Sequence, residues 1–125
     1  MPYFRVSISA KLSEEKADEL INDLGIALEA IPDKKRFMLI CDLEDGKTVY
    51  MGGKRQENFA FADIHYCGSY TYQVKCKLTE EVFGVFSRVL GIAPECASLT
   101  ITEHHNWGGF GNFHDDFYSD AREER

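Results

Sequence analysis

A short basic cluster, Lys34, Lys35 and Arg36, stands out in a chain of 125 residues whose formal net charge is −7. Such a cluster is typical either of a solvated turn after a helix or of an anion contact, and charge pattern alone favours the turn. Nucleic-acid and anionic-membrane surfaces need clustered Lys and Arg to neutralise phosphates. Because the overall charge is acidic, we expect neither nucleic acid nor membrane among the partners.

The cysteines and histidines do not form a metal or redox motif. No CxxC pair occurs, so a zinc ribbon and a thioredoxin-type site are not expected, and reduced thiols are the simplest interpretation. His104 and His105 are adjacent and would point to opposite sides of an extended chain, and His114 lacks a partner at helical i, i+4 spacing. We therefore predict no bound metal. The four cysteines are Cys41, Cys67, Cys76 and Cys96.

Two amphipathic helices would position these groups. The first begins after Ser13, a good N-cap, and ends before Pro32. The second begins between Tyr72 and Thr79 and ends at Gly91. Each has one apolar face and so should cover one side of a sheet. The apolar positions are Ala17, Leu20, Ile21, Leu24, Ala27, Leu28 and Ile31 in the first helix, and Val74, Leu78, Val82, Phe86 and Val89 in the second.

Strand patterns alternate with these helices, at residues 3–9, 37–43, 58–66 and 97–103, and residues 48–51 could form an edge strand. A shift of about 58 residues superposes the two halves. The predicted class is α/β (α+β): duplicated βαβ units forming a four-stranded mixed sheet with two helices on one face. The superposed pairs are Val6 with Ile64, Leu20 with Leu78, Leu24 with Val82, and Leu28 with Phe86.

The uncovered face of this sheet would be mixed, with polar side chains such as Arg5 and Ser7 among apolar ones. Sheets of several copies could close around an axis and cover it, so we predict an obligate homo-oligomer. Residues 1–113 would form a single domain, with halves at about 2–53 and 58–105. A charged extension would follow at residues 114–125.

Pro2, the two βαβ halves, the Gly52–Gly53 pair and the segment HNWGGFGNF together resemble the macrophage migration inhibitory factor (MIF) family of the tautomerase superfamily. The resemblance covers residues 2 to about 113. It implies a homotrimer with sites between neighbouring subunits, and Pro2 as catalytic base once Met1 is removed. A secondary amine in a rigid ring suits this role, since desolvation and nearby cations can keep it neutral.

The resemblance also implies where the substrate binds. Family members carry a Gly-Lys-Pro run before the second strand, and the position of its lysine falls here on Asp33. Lys34 or Lys35 would then take over the anion contact. Cys67 would occupy the position whose backbone amide contacts the substrate. An apolar mouth would be lined by Trp107, Phe110 and Phe113, although core or interface packing explains these aromatics equally well.

Three positions depart from the family pattern. The tyrosine of the last strand falls at Ser98 and the asparagine two residues on at Thr100, which puts the family's aromatic substrates in question. The sequence FAFA (residues 59–62) stands where the cytokine members have a CxxC pair. A thiol-redox activity of that kind is therefore not expected.

Two functions of different classes follow. The first is a cofactor-independent keto–enol tautomerase (isomerase) acting on small enolisable carboxylates, as in phenylpyruvate or dopachrome tautomerases. The alternative is a MIF-like cytokine or binding protein with a vestigial site and a protein receptor. The sequence shows neither a signal-peptide pattern nor a long apolar run, so a cytoplasmic location is expected, with secretion without a signal peptide as the alternative.

Overall fold

Residues 1–115 are described by a computed structural model, in which two helices pack on one face of a mixed sheet. In this part of the chain neither helix combines the length and the apolar character that a membrane span requires. The helices are α1 (Glu14–Leu28) and α2 (Tyr72–Leu90). The strands are β1 (Tyr3–Ile8), β2 (Ile40–Glu44), β3 (Tyr50–Met51), β4 (Lys54–Arg55), β5 (Ala60–Cys67), β6 (Ala97–His104), β7 (Asn106–Gly109) and β8 (Asn112–Asp115).

The main sheet has the strand order β2-β1-β5-β6. Strands β1 and β2 are parallel, as are β5 and β6, whereas the central pair β1–β5 is antiparallel. Each half is therefore a βαβ unit with parallel strands. The two units join through β1 and β5, so the strands of one unit run antiparallel to those of the other. The predicted fold class is confirmed.

The core lies between the sheet and the helices, and it repeats in both halves. The inward residues of β1, Phe4, Val6 and Ile8, are fully buried. All residues superposed by the shift of 58 are likewise fully buried: Val6, Leu20, Leu24, Leu28, Ile64, Leu78, Val82 and Phe86. Removing this apolar surface from water is the main stabilising term of the fold.

The helix ends follow local capping chemistry. The Ser13 hydroxyl accepts a hydrogen bond from the Lys16 backbone N–H at 3.1 Å, which confirms the predicted start of α1. Thr71 does the same for α2 through Val74, at 3.3 Å. Gly91 ends α2 with a left-handed φ of 66°, a conformation that glycine adopts without steric cost.

Two strand predictions need correction. The second strand was predicted from residue 37, but a 3-10 turn over Arg36–Met38 precedes it and β2 begins only at Ile40. Phe37 is consequently 73% exposed. Residues 48–51 contribute only the two-residue strand β3, which pairs with β4 in a hairpin separate from the main sheet. Residues 106–115 form a second hairpin, β7–β8.

The open face of the sheet is mixed, as predicted: Ile40 and Phe61 lie on it among polar side chains. The Tyr3 hydroxyl donates to the Asp42 carboxylate at 2.9 Å, and Arg5 pairs with Glu44 at 3.4 Å. Of the predicted C-terminal extension, residues 114 and 115 belong to β8, and residues 116–125 lie outside the described part of the chain.

Candidate active site

A cavity of about 270 Å³ opens where β1 and β2 begin and where β5 ends. Four elements meet at this edge: the N-terminus, the loop between α1 and β2, the end of β5, and the β7–β8 hairpin. The volume is at the small end of the range of ligand pockets. The lining residues are Met1, Asp33, Lys34, Met38, Cys67, Trp107, Phe110 and His114.

Lys34 is the lysine of the basic cluster that reaches this cavity. Its ammonium group donates a hydrogen bond to the backbone carbonyl of Cys67 at 3.1 Å. Asp33, immediately before it, has a left-handed φ of 75°, which aspartate tolerates better than most residues. Both residues of this turn line the cavity, and Lys34 is the one that supplies a cation there.

The other two basic residues of the cluster point elsewhere. Lys35 is exposed and does not line the cavity. Arg36 forms an ion pair with Glu29 at 2.7 Å, and its backbone N–H also donates to that carboxylate. Hydrogen bonds from Arg36 lower the pKa of Glu29 to about 2. The solvated-turn interpretation therefore fits Lys35 and Arg36, whereas Lys34 is placed to contact an anion.

The N-terminal segment lies beside Lys34. Pro2 is buried, and its carbonyl accepts a hydrogen bond from the Ile40 backbone N–H at 2.9 Å, which fixes the start of β1 against β2. Met1 precedes it here, so the Pro2 nitrogen is an amide and the free amine belongs to Met1. The Met1 thioether packs against Gly109, where a Cβ would lie 3.2 Å from the sulfur.

The surroundings of the terminal amine favour its neutral form. Partial burial and then the positive charge of Lys34 lower the pKa of the Met1 amine from its usual value of 8.0, against a smaller opposing effect of Cys67. Desolvation and a neighbouring cation both disfavour a charged amine. A basic group held at this end of β1 is therefore kept closer to its unprotonated state.

The β7–β8 hairpin supplies the apolar wall of the cavity. Trp107 and His114 are cross-strand partners, and both line the cavity. Phe113 pairs with Gly108, so it lies on the opposite face of the hairpin, 50% exposed and away from the lining. Phe110, at the turn, does line the cavity although it is 62% exposed.

The turn that carries Cys67 is held by Glu103. The Glu103 carboxylate accepts hydrogen bonds from the Tyr66 hydroxyl at 2.8 Å and from the Tyr70 backbone N–H at 2.9 Å. Burial, and then this hydrogen bond, raise the pKa of Tyr66. Sequence reasoning did not find this clamp, since Glu103 belongs to a different strand and its polar partners are brought together only by the β5–β6 register.

Sequence reasoning also missed Met38 and His114 as lining residues. His114 was considered only as a metal ligand, and among residues 1–115 no group of three or more His, Cys, Asp or Glu side chains is arranged to hold a metal ion. The glycines around Phe110 signal a tight turn, and pairing outward from it places Trp107 opposite His114. No local pattern marks Met38.

The positions that replace the family's tyrosine and asparagine lie on β6, away from the cavity. Ser98 and Thr100 pair with Phe61 and Asp63, whereas the cavity lies near the Cys67–His104 pair. At the rise of a strand, Ser98 lies about 20 Å and Thr100 about 13 Å from His104. Within one copy of the chain, neither residue lines the cavity.

No protein-family model and no curated protein matches the chain. Solved structures do match. The MIF2 protein of Leishmania major superposes with a TM-score of 0.79 at 16% identity, over 90% of this chain and 97% of that one. A MIF-like protein of Entamoeba histolytica has a TM-score of 0.76 at 22% identity, over 90% and 97%.

A third structure, of Pt0534 inactivated by 2-oxo-3-pentynoate, gives a TM-score of 0.82 at 14% identity, over 93% of this chain and 98% of that one. These likenesses establish the fold, because the backbones superpose closely over nearly the whole domain. The sequence identities are too low to establish more than the fold. The chain has the fold of MIF and the tautomerase superfamily, as the sequence resemblance predicts.

Proposed function

We propose that the protein is a cofactor-independent keto–enol tautomerase acting on small 2-oxo carboxylates of the aryl pyruvate type. The observation that carries this proposal is the meeting of an N-terminal nitrogen, a lysine ammonium and apolar side chains in one small cavity. The reaction needs these three groups: a base, a cation that binds the carboxylate, and an apolar lining that excludes water. The structure of Pt0534 inactivated by a 2-oxo acid adds support from a protein of the same fold.

In this mechanism Pro2 becomes the base after Met1 is removed. Its neutral amine takes a proton from the carbon next to the keto group. The C–H electron pair becomes the new C=C bond, and the carbonyl electrons move to oxygen, which is then protonated to give the enol. Reversing these steps converts the enol to the ketone. The depressed pKa of the Met1 amine supports this role, because the same burial and the same cation would act on a neighbouring amine.

Lys34 would bind the substrate carboxylate. Its ammonium group donates to the neutral backbone carbonyl of Cys67, an interaction that a carboxylate can replace with a charge-assisted hydrogen bond. Cys67 would orient the substrate through its backbone, while Trp107, Phe110 and Met38 provide apolar contact for an aryl group. Lys35 and Phe113 have no part in this proposal, because Lys35 is exposed outside the cavity and Phe113 lies on the opposite face of the hairpin from Trp107.

The assembly we propose is a homotrimer in which a neighbouring subunit completes each site. Support comes from exposed apolar side chains on the open face of the sheet, Ile40 (41% exposed) and Phe61 (39%), and on the β3–β4 hairpin, Tyr50 (60%) and Met51 (45%). Large exposed apolar groups on a small domain are typical of contact surfaces. Analytical ultracentrifugation should find three copies, and a monomer would remove this part of the proposal.

The test of the activity is phenylpyruvate ketonisation by protein whose intact mass shows that Met1 is absent. We expect measurable turnover by this form. A matched control inserts one alanine before Pro2, which keeps its nitrogen acylated whatever happens to Met1. If the control and the processed protein convert phenylpyruvate equally fast, or if neither does, the tautomerase proposal is wrong and a binding role takes its place.

A further inference from the structure

A second cluster of titratable groups lies on the open face of the sheet and ends at the cavity. The Asp63 carboxylate lies 3.0 Å from Nε2 of His65, and Nδ1 of His65 lies 2.9 Å from Nε2 of His104. The two imidazoles stack with centroids 5.2 Å apart. The His104 ring in turn meets the Trp107 ring edge to face, with centroids 5.4 Å apart. This row of contacts connects an acidic residue on the sheet to a wall of the cavity.

The two contacts of His65 assign the protons in this row. A carboxylate only accepts, so the ion-pair contact with Asp63 favours a proton on Nε2 of His65. In a neutral ring Nδ1 of His65 then has a lone pair and accepts a hydrogen bond from Nε2–H of His104. The position for a further proton is therefore Nδ1 of His104. Protonation there leaves both contacts of His65 intact and places the new positive charge on the ring that contacts Trp107.

We propose that Asp63, His65 and His104 are positioning residues, which hold Trp107 as the cavity wall and make ligand binding there depend on the protonation of His104. This inference rests on the proposed function only in taking the cavity as a site for 2-oxo carboxylates. None of the three residues lines the cavity itself. They act through Trp107, and a positive charge on His104 would add to the attraction of the site for an anion.

The groups that face the two imidazoles come from several strands. On β1 they are Tyr3, whose ring centroid lies 6.1 Å from that of His65, and Arg5, which is paired in register with Asp63. On β2, Asp42 accepts from the Tyr3 hydroxyl and Glu44 pairs with Arg5. On the hairpin, His114 is the cross-strand partner of Trp107. His114 is therefore the alternative source of any pH effect on Trp107.

Trp107 is the single tryptophan of the chain, so tryptophan fluorescence reports on the surroundings of this one ring. An imidazolium quenches an adjacent indole more strongly than neutral imidazole does. We expect the emission of the full-length protein to fall as the pH is lowered from about 8 to about 5, the range in which histidine titrates. His104→Gln keeps an N–H donor near His65 but cannot titrate, and it should abolish this change. His114→Gln and His105→Gln should retain it.

Asp63→Ala distinguishes the row of contacts from simple proximity. It removes the carboxylate beside Nε2 of His65, so the His65 ring is no longer held against His104 and the contact of His104 with Trp107 should loosen. The fluorescence change between pH 8 and pH 5 should then be smaller than in the wild type. Loss of the change in His114→Gln but not in His104→Gln would overturn the inference. So would a wild-type emission that does not change with pH, or a change of full size in Asp63→Ala.

The binding arm uses phenylglyoxylate, a 2-oxo carboxylate without an α-proton that can bind but not tautomerise. Calorimetry should show tighter binding at pH 6 than at pH 8 in the wild type. In His104→Gln the gain in affinity between pH 8 and pH 6 should be smaller. Equal pH dependence in both proteins would contradict the inference. Binding without phenylpyruvate turnover would instead count against the proposed function alone, because the role of His104 requires no chemistry.

Discussion

The two halves of the molecule share one core but differ at their helix-to-strand connections. Both helices lead into a 3-10 turn, Arg36–Met38 in the first half and Pro94–Cys96 in the second, which are separated by the same 58 residues that relate the buried positions. Two residues before each turn the halves differ: Lys34 reaches the cavity, whereas its counterpart Ile92 is buried in the core, 1% exposed.

This difference shows which part of a duplicated fold is free to acquire chemistry. The inward positions of the strands and helices must stay apolar in both copies, because they fill one continuous core. A connection at the sheet edge carries no such constraint. In the first half this connection places the Lys34 cation beside the N-terminus. In the second half the corresponding residue, Ile92, packs against the core. Three pairs of variants, and one single variant in the first connection, would sharpen or break this comparison.

Pro2 and its counterpart Ala60 should differ most. Pro2→Gly keeps a terminal amine after Met1 removal but loses the rigid secondary amine, and a displaced general base costs on the order of 10²- to 10⁴-fold in rate. Ala60→Gly should leave kcat/KM of the folded protein nearly unchanged, because Ala60 is fully buried in the core. The measurement is phenylpyruvate ketonisation at equal concentrations of folded protein. Similar losses in both variants would remove the functional asymmetry.

The core positions should behave alike in the two halves. Leu20 and Leu78 are superposed by the shift and are both fully buried. Leu20→Ala and Leu78→Ala should each lower the free energy of unfolding by about 2–5 kcal/mol, through lost burial and a residual cavity. Urea denaturation gives both values. A cost confined to one half would mean that the two halves do not share the stability of one core.

Lys34 and Ile92 should affect different properties. Lys34→Met removes a charged hydrogen-bond donor worth about 1.5–3 kcal/mol, so KM should rise about 10- to 100-fold with little change in stability. Since the cation lowers the pKa of the terminal amine, its loss should also move the acidic limb of the pH–rate profile to higher pH.

The matched variant Ile92→Met conserves volume in the core and should cost less than about 1.5 kcal/mol of stability. Its KM and pH profile should stay those of the wild type. A shift of the acidic limb in this variant, or none in Lys34→Met, would contradict the assignment of Lys34 as the cation of the cavity.

The smallest effect concerns the ion pair that anchors the first connection. Arg36 depresses the pKa of Glu29 to about 2, so this carboxylate stabilises the fold above its ordinary pKa of 4.5 and loses that contribution as the pH falls toward 2. Glu29→Gln should therefore be slightly less stable than the wild type at pH 7 and approach it at pH 3. Denaturation at both pH values tests this. A difference that grows on acidification would have the wrong sign.

Local patterns predicted the parts of this fold that repeat. The Ser13 cap, the Gly91 end and the shift that pairs Leu20 with Leu78 all depend on spacing within one element or on one apolar face. The second strand was predicted to begin too early because residues 37–39 are apolar. In the structure Phe37 and Met38 belong to a 3-10 turn that starts at Arg36, which is paired with Glu29, and the strand begins only at Ile40. Phe113 was assigned to the cavity because the sequence does not show which face of a hairpin points inward.

The amino-acid sequence thus determined the duplicated core, the helix caps and the residue types available at the cavity, because burial imposes periods that can be read along the chain. The tertiary structure decided that Lys34, and neither Lys35 nor Arg36, lines the cavity, in a turn with a left-handed φ at Asp33. It also decided that His65 and His104 meet, and that His114 faces Trp107 across the hairpin. These contacts depend on strand register and loop geometry between residues far apart in sequence, which no local pattern records.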